Sequence, residues 1–475
     1  MKVSLIHPPF TNSIKTTKPR FVDENEGFFP PLGLMYIATY LKIHMPFCKV
    51  QVIDANLERL DHAQIAKKAV AYGSDVVGIS CWTFSLLDTY YIAKEVKKLS
   101  PKTLVVFGGP HISIYPVETL SNEFVDFVVA NDGEKAFHEL LLEIEGKHDY
   151  GNVSNLHYKS NGSVVKSAKE HSENDLDSIP IPERDWTDYK KYYSFIDQIN
   201  PITTMITSRG CPFKCNFCFK QNSGWRYRGV QNILAEIEYC LSLGIKNFFF
   251  WDETFTVNKK RTIEFCKQVL EKKLDIVWSC RSRIDTMDEE TLSYMKQAHC
   301  LRISFGVESA NPHIQKLLNK QVPIPRVIEI FKLMKKLNMI SLADFMTGCP
   351  DETRKEAFET IDLACELDTE FVQFSLFTLY PCTTLYAEAL EKKVVPYDVW
   401  HEYAKNPSVD FKPPLWNIFS ESEVYEILMT AYRKFYLRPS YIIKKIIRVK
   451  SAAELLMYVK AGISFIVSLL RKENK

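Results

Sequence analysis

Short apolar runs alternate with helical patterns twice along this chain, and that alternation leaves few topologies open. Within residues 1–148, apolar runs at 3–6, 50–53, 76–79, 104–107 and 127–129 are each followed by a helical pattern. Runs this short and this uniformly apolar predict strands buried on both faces, the environment of parallel strands sandwiched between helices. Five such units predict an α/β doubly wound parallel sheet, whose ligands lie beyond the carboxyl ends of its strands. The alternation resumes at Ile202, with further strands expected at 203–207, 247–251, 277–280, 302–307, 341–346 and 371–376.

The first strand of the second series delivers the loop RGCPFKCNFCF at 209–219, which places Cys211, Cys215 and Cys218 in a C-x3-C-x2-C spacing. Three thiolates on one short loop can hold three irons of a cubane cluster and leave the fourth iron open to a ligand other than protein. A structural zinc ion would ask for a fourth Cys or His at recognisable spacing, and no second C-x2-C occurs. Accidental spacing is the remaining alternative.

With 475 residues the chain is too long for one core, so two or three domains are expected. Its 46% hydrophobic and 25% charged residues are those of a soluble globular protein, and a net charge of +2 argues against a general nucleic-acid binder. The other cysteines fall mostly inside apolar runs, which points to free thiols in a reducing compartment and a cytoplasmic location. No secretory signal pattern opens the chain and no uninterrupted apolar run reaches about 18 residues, so no transmembrane helix is expected.

The expected strand ends of the first series carry HPPF at 7–10, DAN at 54–56, SCWTF at 80–84, GGPH at 108–111 and NDGE at 131–134. Gly108 and Gly109, directly after a buried run, allow a backbone to approach a ligand closely. No G-x-G-x-x-G follows the first strand, which weakens a dinucleotide-binding reading. Residues 153–166 predict a hairpin turning at Asn161 and Gly162, and the polar, Pro-punctuated stretch to Arg184 predicts a linker.

A five-unit sheet with these loops, followed by C-x3-C-x2-C, resembles the cobalamin-binding (class B) radical S-adenosylmethionine (SAM) enzymes, which include methyltransferases and the anaerobic tetrapyrrole cyclase branch. The resemblance spans residues 1 to about 395. It implies a cobalamin-binding domain at 1–148, a hairpin and linker at 149–200, a partial (β/α)6 radical SAM barrel at 201–395, and a mostly helical C-terminal region at 396–475. The implied cofactors are a 4Fe-4S cluster on Cys211, Cys215 and Cys218, SAM and cobalamin. Cobalamin contacts are implied for Ser80, Trp82, Gly108, Gly109, His111, Gly133 and Glu134. The mutase-type D-x-H-x-x-G segment is absent, because residues 54–59 read DANLER. Trp82 is then a candidate neighbour of the lower cobalt face, with a core or rim tryptophan as the alternative.

For SAM, the resemblance implies Asp252 or Glu253 near the methionine ammonium, Arg281 and Arg283 at its carboxylate, and Glu308 with Ser309 at the ribose. Gly348 and Pro350, in a turn matching G-x-P-x-E-T, are implied at the adenine, and Phe217 packs on it or shields the cluster. Cys382 stands where the sixth-strand turn usually has glycine.

The implied reaction is hydrogen abstraction from an unactivated carbon by a 5'-deoxyadenosyl radical, followed by methyl transfer from methylcobalamin. The alternatives are ring formation or rearrangement without net methylation, a non-catalytic sensor, and a first domain that has lost cobalamin. The expected partners are a small-molecule substrate of lipid-like or tetrapyrrole character and an electron donor such as flavodoxin or ferredoxin, with no nucleic acid. From Arg433 to Lys475 there are eleven Lys or Arg against two Glu, interleaved with apolar clusters. Such a tail predicts either peripheral contact with the inner membrane surface or a solvated helical cap over the barrel mouth.

Overall fold

Neighbouring residues within the strands of the first domain feed two separate apolar layers, which is what fixes it as a sheet covered on both faces. Val76 and Val106 pack on one side with Leu34, Ala38, Phe137 and Leu140, while Val77 and Val105 pack on the other with Ile65, Leu86 and Val96. The computed structural model describes residues 1–14, 27–194, 196, 199–219, 224–416, 418–448 and 462. Strands β1 (Lys2–His7), β2 (Lys49–Asp54), β3 (Val76–Ser80), β4 (Leu104–Gly108) and β5 (Phe127–Val129) are parallel. The expected hairpin forms as β6 (Leu156–Ser160) and β7 (Ser163–Lys166), and it joins this sheet antiparallel beside β5 instead of standing apart in the linker. The order β2-β1-β3-β4-β5-β6-β7 reverses direction at β1, so a crevice opens between the carboxyl ends of β1 and β3.

The second series forms a parallel six-stranded sheet in sequential order. Its strands are β8 (Ile202–Met205), β9 (Asn247–Phe250), β10 (Val277–Ser282), β11 (Cys300–Glu308), β12 (Ile340–Thr347) and β13 (Phe371–Leu376). Phe250, Trp278, Ile303, Phe345 and Phe374 face the surrounding helices in one core. Strands β8 and β13 do not pair with each other, which leaves the partial barrel that the resemblance implies.

Helices that bear on function are α1 (Leu32–His44), α2 (Leu86–Leu99), α3 (Gly133–Glu145), α4 (Val230–Ser242), α5 (Val399–Lys405), α6 (Glu421–Tyr436) and α7 (Pro439–Arg448). Although α5 follows the barrel, it docks on the first domain. Trp400 and Tyr403 are buried, the Tyr90 hydroxyl of α2 donates to the Ala404 carbonyl at 3.3 Å, and His401 lies 2.9 Å from Glu118. The first domain and the barrel therefore share a core that includes Ile314, Phe377, Leu379 and Leu385.

Helix α6 runs beside the edge strand β13 and closes its open hydrogen-bonding row. The Tyr432 hydroxyl accepts from Phe374 N at 3.1 Å and donates to Phe374 O at 2.9 Å, and Tyr436 does the same at Val372, at 3.1 and 2.7 Å. An uncovered edge is a template for pairing with another chain. Tyr432→Phe is expected to cost about 1–3 kcal/mol, read as a lower denaturation midpoint, because buried backbone groups lose their partner. Among the described residues no helix is long and apolar enough to cross a membrane. Residues 449–461 and 463–475, most of the expected basic tail, lie outside the described residues.

Candidate functional site

The cysteine loop is held at both its roots and along its length. Thr207 N and the hydroxyls of Thr207 and Ser208 all donate to the buried Asp252 carboxylate, at 2.6–2.7 Å. Ser208 and Arg209 then pair antiparallel with Tyr227 and Arg226. Gly210 has φ +83°, and a Cβ there would stand 2.1 Å from the Gly224 carbonyl oxygen. Only glycine fits that crossing, so Gly210→Ala is expected to lower iron incorporation on reconstitution while leaving the barrel's circular dichroism unchanged. Farther along, Asn216 N donates to Leu318 O at 3.0 Å and Leu385 N to Asn216 O at 3.1 Å.

Cys215 is buried, whereas Cys211 and Cys218 are exposed. A hydrogen bond from the Cys218 thiol holds Cys215 below the ordinary thiol range, and the Lys320 and Arg283 cations add to this against burial. Arg283 Nη1 lies 3.4 Å from Cys215 Sγ, and the guanidinium stacks 3.9 Å from the Phe213 ring centre. Among the described residues no group of three or more His, Cys, Asp or Glu is arranged to hold a metal ion. A cubane spreads its thiolates over different irons, so it does not ask them to converge on one point.

Several residues expected at SAM are committed to the protein itself. Asp252 is spent on the loop root. Arg283 binds Asp285 through two nitrogens at 2.9 and 2.8 Å and Lys320 O at 3.1 Å, so it braces Cys215 and is not a free fork for a carboxylate. Ser309 is fully buried, with its hydroxyl 3.1 Å from Thr360 Oγ1 and accepting Asn311 N at 3.1 Å, so it shapes the chain after β11. Glu308, at φ +70°, takes Lys320 Nζ at 3.0 Å. Two of the expected groups stay open: Arg281, 5.0 Å above the Trp251 ring centre, and Glu253. Glu253 is solvent-accessible, yet burial by surrounding protein pushes its carboxyl up, as for a group facing a cleft. Gly348 has φ +77° and its N–H donates to Glu352 at 2.6 Å, with Cys349 N at 3.2 Å, so the turn containing Pro350 is clamped from within. Phe217 is half-buried and packs toward the first domain's core.

On the first domain, Trp82 and Phe10 are 39% and 43% exposed at the crevice between β1 and β3. Phe84 lies between them, with ring centres at 5.8 and 5.3 Å. Ser80 pairs with Gly108 at the adjoining strand ends, and at Gly109, φ +109°, a Cβ would stand 2.8 Å from Cys81 O. Two of the residues expected at cobalamin have side chains engaged within the protein. His111 is fully buried, bonded to Thr83 at 3.0 Å and pushed down to about 3 by that burial, so it sets the loop and offers nothing at the surface. Glu134, at the start of α3 beside Gly133, spends its carboxylate on Arg209 at 2.5 Å.

That last contact joins the two halves of the site. Arg209, directly before the cysteine loop, also binds Asp132 at 2.8 Å, and Arg226 binds the same Asp132 at 2.6 Å. Phe29, just before α1, packs on Trp251 with ring centres 5.4 Å apart. The carboxyl ends of β5 and β8 are thus bolted together, and those of the two sheets face one cleft.

The description "B12 binding domain" matches residues 21–141, and "Radical SAM superfamily" matches residues 205–364. An uncharacterized methyltransferase of Pyrococcus horikoshii is 34% identical over 452 residues, covering 94% of this chain and 95% of the relative. The chain belongs to the cobalamin-binding radical SAM family. An anaerobic magnesium-protoporphyrin IX monomethyl ester cyclase of Rubrivivax gelatinosus is 26% identical over 454 residues, covering 93% of this chain and 78% of its own. In fold, the chain is similar to the cobalamin-dependent SAM radical enzyme OxsB, at TM-score 0.73 and 16% identity over 98% of this chain and 71% of that one.

As a member of this family, the protein is a radical SAM enzyme whose cofactors are a 4Fe-4S cluster, SAM and cobalamin. The residues fit them. The thiol triplet carries its own counter-cations, and the glycine floor with exposed aromatic rims suits a flat macrocycle. Sequence reading missed Lys320 and Arg209. Lys320 sits in no recognisable motif. Arg209 adjoins the cysteines, and its proximity to them was the only signal it gave.

Proposed function

We propose that this enzyme methylates an unactivated carbon of a largely apolar small molecule. The observation that carries the proposal is the bolt of Asp132 and Glu134 to Arg209, which sets the cysteine loop against the B12-binding domain. The near end-to-end match to a methyltransferase supports it. Together the bound groups supply a 5'-deoxyadenosyl radical and a methyl donor. In this reading Cys211, Cys215 and Cys218 ligate the cluster, and Arg283 and Lys320 balance the thiolate charge. Glu253 and Arg281 hold the amino and carboxylate ends of SAM, Glu308 and the turn at Gly348 and Pro350 border its nucleoside, and Phe217 screens the cluster from water. Ser80, Trp82, Gly108, Gly109 and Gly133 line the cobalamin face. Trp251 and Tyr380, 38% and 46% exposed, offer apolar surface to a substrate of the tetrapyrrole or polycyclic-lipid kind. An external one-electron donor such as flavodoxin or ferredoxin, and a peripheral seat on the membrane through the C-terminal region, complete the reading.

A second reading, ring formation without methylation, is favoured by the similarity to the cyclase. Turnover of the anaerobically reconstituted enzyme with SAM carrying a deuterated methyl group separates the two. Methylation requires S-adenosylhomocysteine alongside 5'-deoxyadenosine and a labelled product. Deoxyadenosine with neither of the others would leave only the second reading.

A further inference from the structure

Helix α7, of sequence PSYIIKKIIR, presents its faces the wrong way round for a helix that caps a protein in water. Ile442, Ile443, Ile446 and Ile447 lie within an arc of about 140° and are 42%, 56%, 62% and 76% exposed. The opposite face is the one that packs. The Tyr441 hydroxyl donates to Glu370 O at 3.0 Å, Lys444 pairs with Asp368, and Lys445 lies 4.0 Å over the Phe371 ring. An ordinary surface helix buries its aliphatic stripe and shows its lysines to solvent. A contiguous apolar face left outward marks a surface that meets something else.

Charge selects the occupant. From Arg438 to Lys475 the chain carries nine Lys or Arg against two Glu, and the run AGISFIVSLL at 461–470 has no charge and is followed by Arg471 and Lys472. Pairing this face with its counterpart in a second copy would bring basic chain against basic chain. An apolar face flanked by cations is complementary to an anionic lipid surface. We propose that α7 docks the enzyme on an anionic bilayer, with the four isoleucines entering the headgroup boundary. This deepens the peripheral-membrane part of the function proposed above and is independent of methyl transfer.

Position makes the docking a tether and not a lid. Asp368 and Glu370 precede β13, at the amino end of the barrel, whereas the cysteine loop follows β8 at the carboxyl end. Helix α7 therefore does not cover the barrel mouth, one of the two places expected for it, and a docked enzyme turns its cleft away from the lipid beneath α7.

Flotation of the full-length holoenzyme with phosphatidylcholine vesicles, and with vesicles that also contain phosphatidylglycerol, tests the proposal. Binding should be about tenfold tighter to the anionic vesicles. I443E/I447E should lower it by about tenfold or more, with circular dichroism unchanged because both side chains point outward. Replacing Lys450, Lys460, Arg471 and Lys472 by glutamine should abolish the preference for anionic lipid. Wild-type protein that ignores both vesicles, or I443E/I447E that binds as well as wild type, overturns the proposal. So does burial of a spin label placed at position 443 in a vesicle-free monomer, which would identify a folded-back tail. A dimer that I443E/I447E dissociates would equally overturn it. Deoxyadenosine and S-adenosylhomocysteine formation without vesicles should be the same in wild type and I443E/I447E, so failure of docking and failure of methylation are read separately.

Discussion

Cys215→Ala is expected to abolish 5'-deoxyadenosine formation, to leave most of the iron unincorporated on reconstitution, and to keep the fold. The first two effects follow from position. Cys215 is the buried middle thiol, tuned below its ordinary range by Cys218, Lys320 and Arg283, and two remaining thiols cannot hold a cubane open at a single iron. Folding should survive, because removing one sulfur costs about 1 kcal/mol of packing and the loop keeps its bonds to Leu318, Leu385 and Asp252. The readouts are iron content, the visible absorbance of the cluster, and far-ultraviolet circular dichroism. A variant that retained full iron and formed deoxyadenosine would remove Cys215 from the ligand set.

Glu236→Ala is expected to cost about 3–5 kcal/mol of stability, a larger loss than at any other position discussed. Glu236 on α4 is fully buried between Arg184 and Arg228, with Arg228 Nη1 at 2.5 Å. Arg184 also donates to Thr203 Oγ1 at 3.0 Å and to Thr204 O at 3.3 Å, and Arg228 donates to Ile206 O at 3.1 Å. The cluster thus sits under β8, the strand that carries the cysteine loop. Alanine would leave two buried guanidiniums without a counter-charge. Burial opposes ionisation of Glu236, but Arg228 and Arg184 outweigh it and hold the carboxyl below the ordinary carboxylate range. Its folded-state pKa is therefore lower than in the unfolded chain. The contribution is complete above the unfolded value, about 4.3, and is lost as pH falls through the folded one. Urea midpoints measured from pH 7 down to about pH 2 should keep a constant gap between wild type and Glu236→Ala above about pH 4 and converge below it. A gap that stayed constant over the whole range would show that the loss is one of packing and not of charge.

Both sheets were legible in the sequence because parallel strands buried on two faces leave uninterrupted apolar runs, and the runs at 76–79 and 104–107 are almost the strands observed. The hairpin at 156–166 was legible from its Asn161 and Gly162 turn, but not the sheet it would join, since hydrophobic alternation carries no address. The stretch around Arg184 reads as linker because charge and proline normally mark exposed chain. Here Arg184 is buried, and only its partner 52 residues away makes that possible. At the site, cysteine spacing and glycine turns were readable because chemistry and positive φ restrict those places to few residue types. The roles of Asp252, Arg283, Ser309, His111 and Glu134 were not, because a polar side chain in a motif can serve the ligand or the loop that faces it. Partners such as Thr207, Lys320 and Arg209 decide which, and those contacts span up to 77 residues.

The account stands on two cofactor-binding halves facing one cleft, so cobalt and iron measured in the same purified chain test it most directly. Protein from cobalamin-fed cells, reconstituted without oxygen, should hold about one cobalt and four irons per chain, with cobalamin bands in its absorbance spectrum. Cys215→Ala should lose the iron and keep the cobalt. Four irons with no cobalt in the wild-type chain would contradict the account, leaving a radical source beside a domain that had kept its fold and not its cofactor.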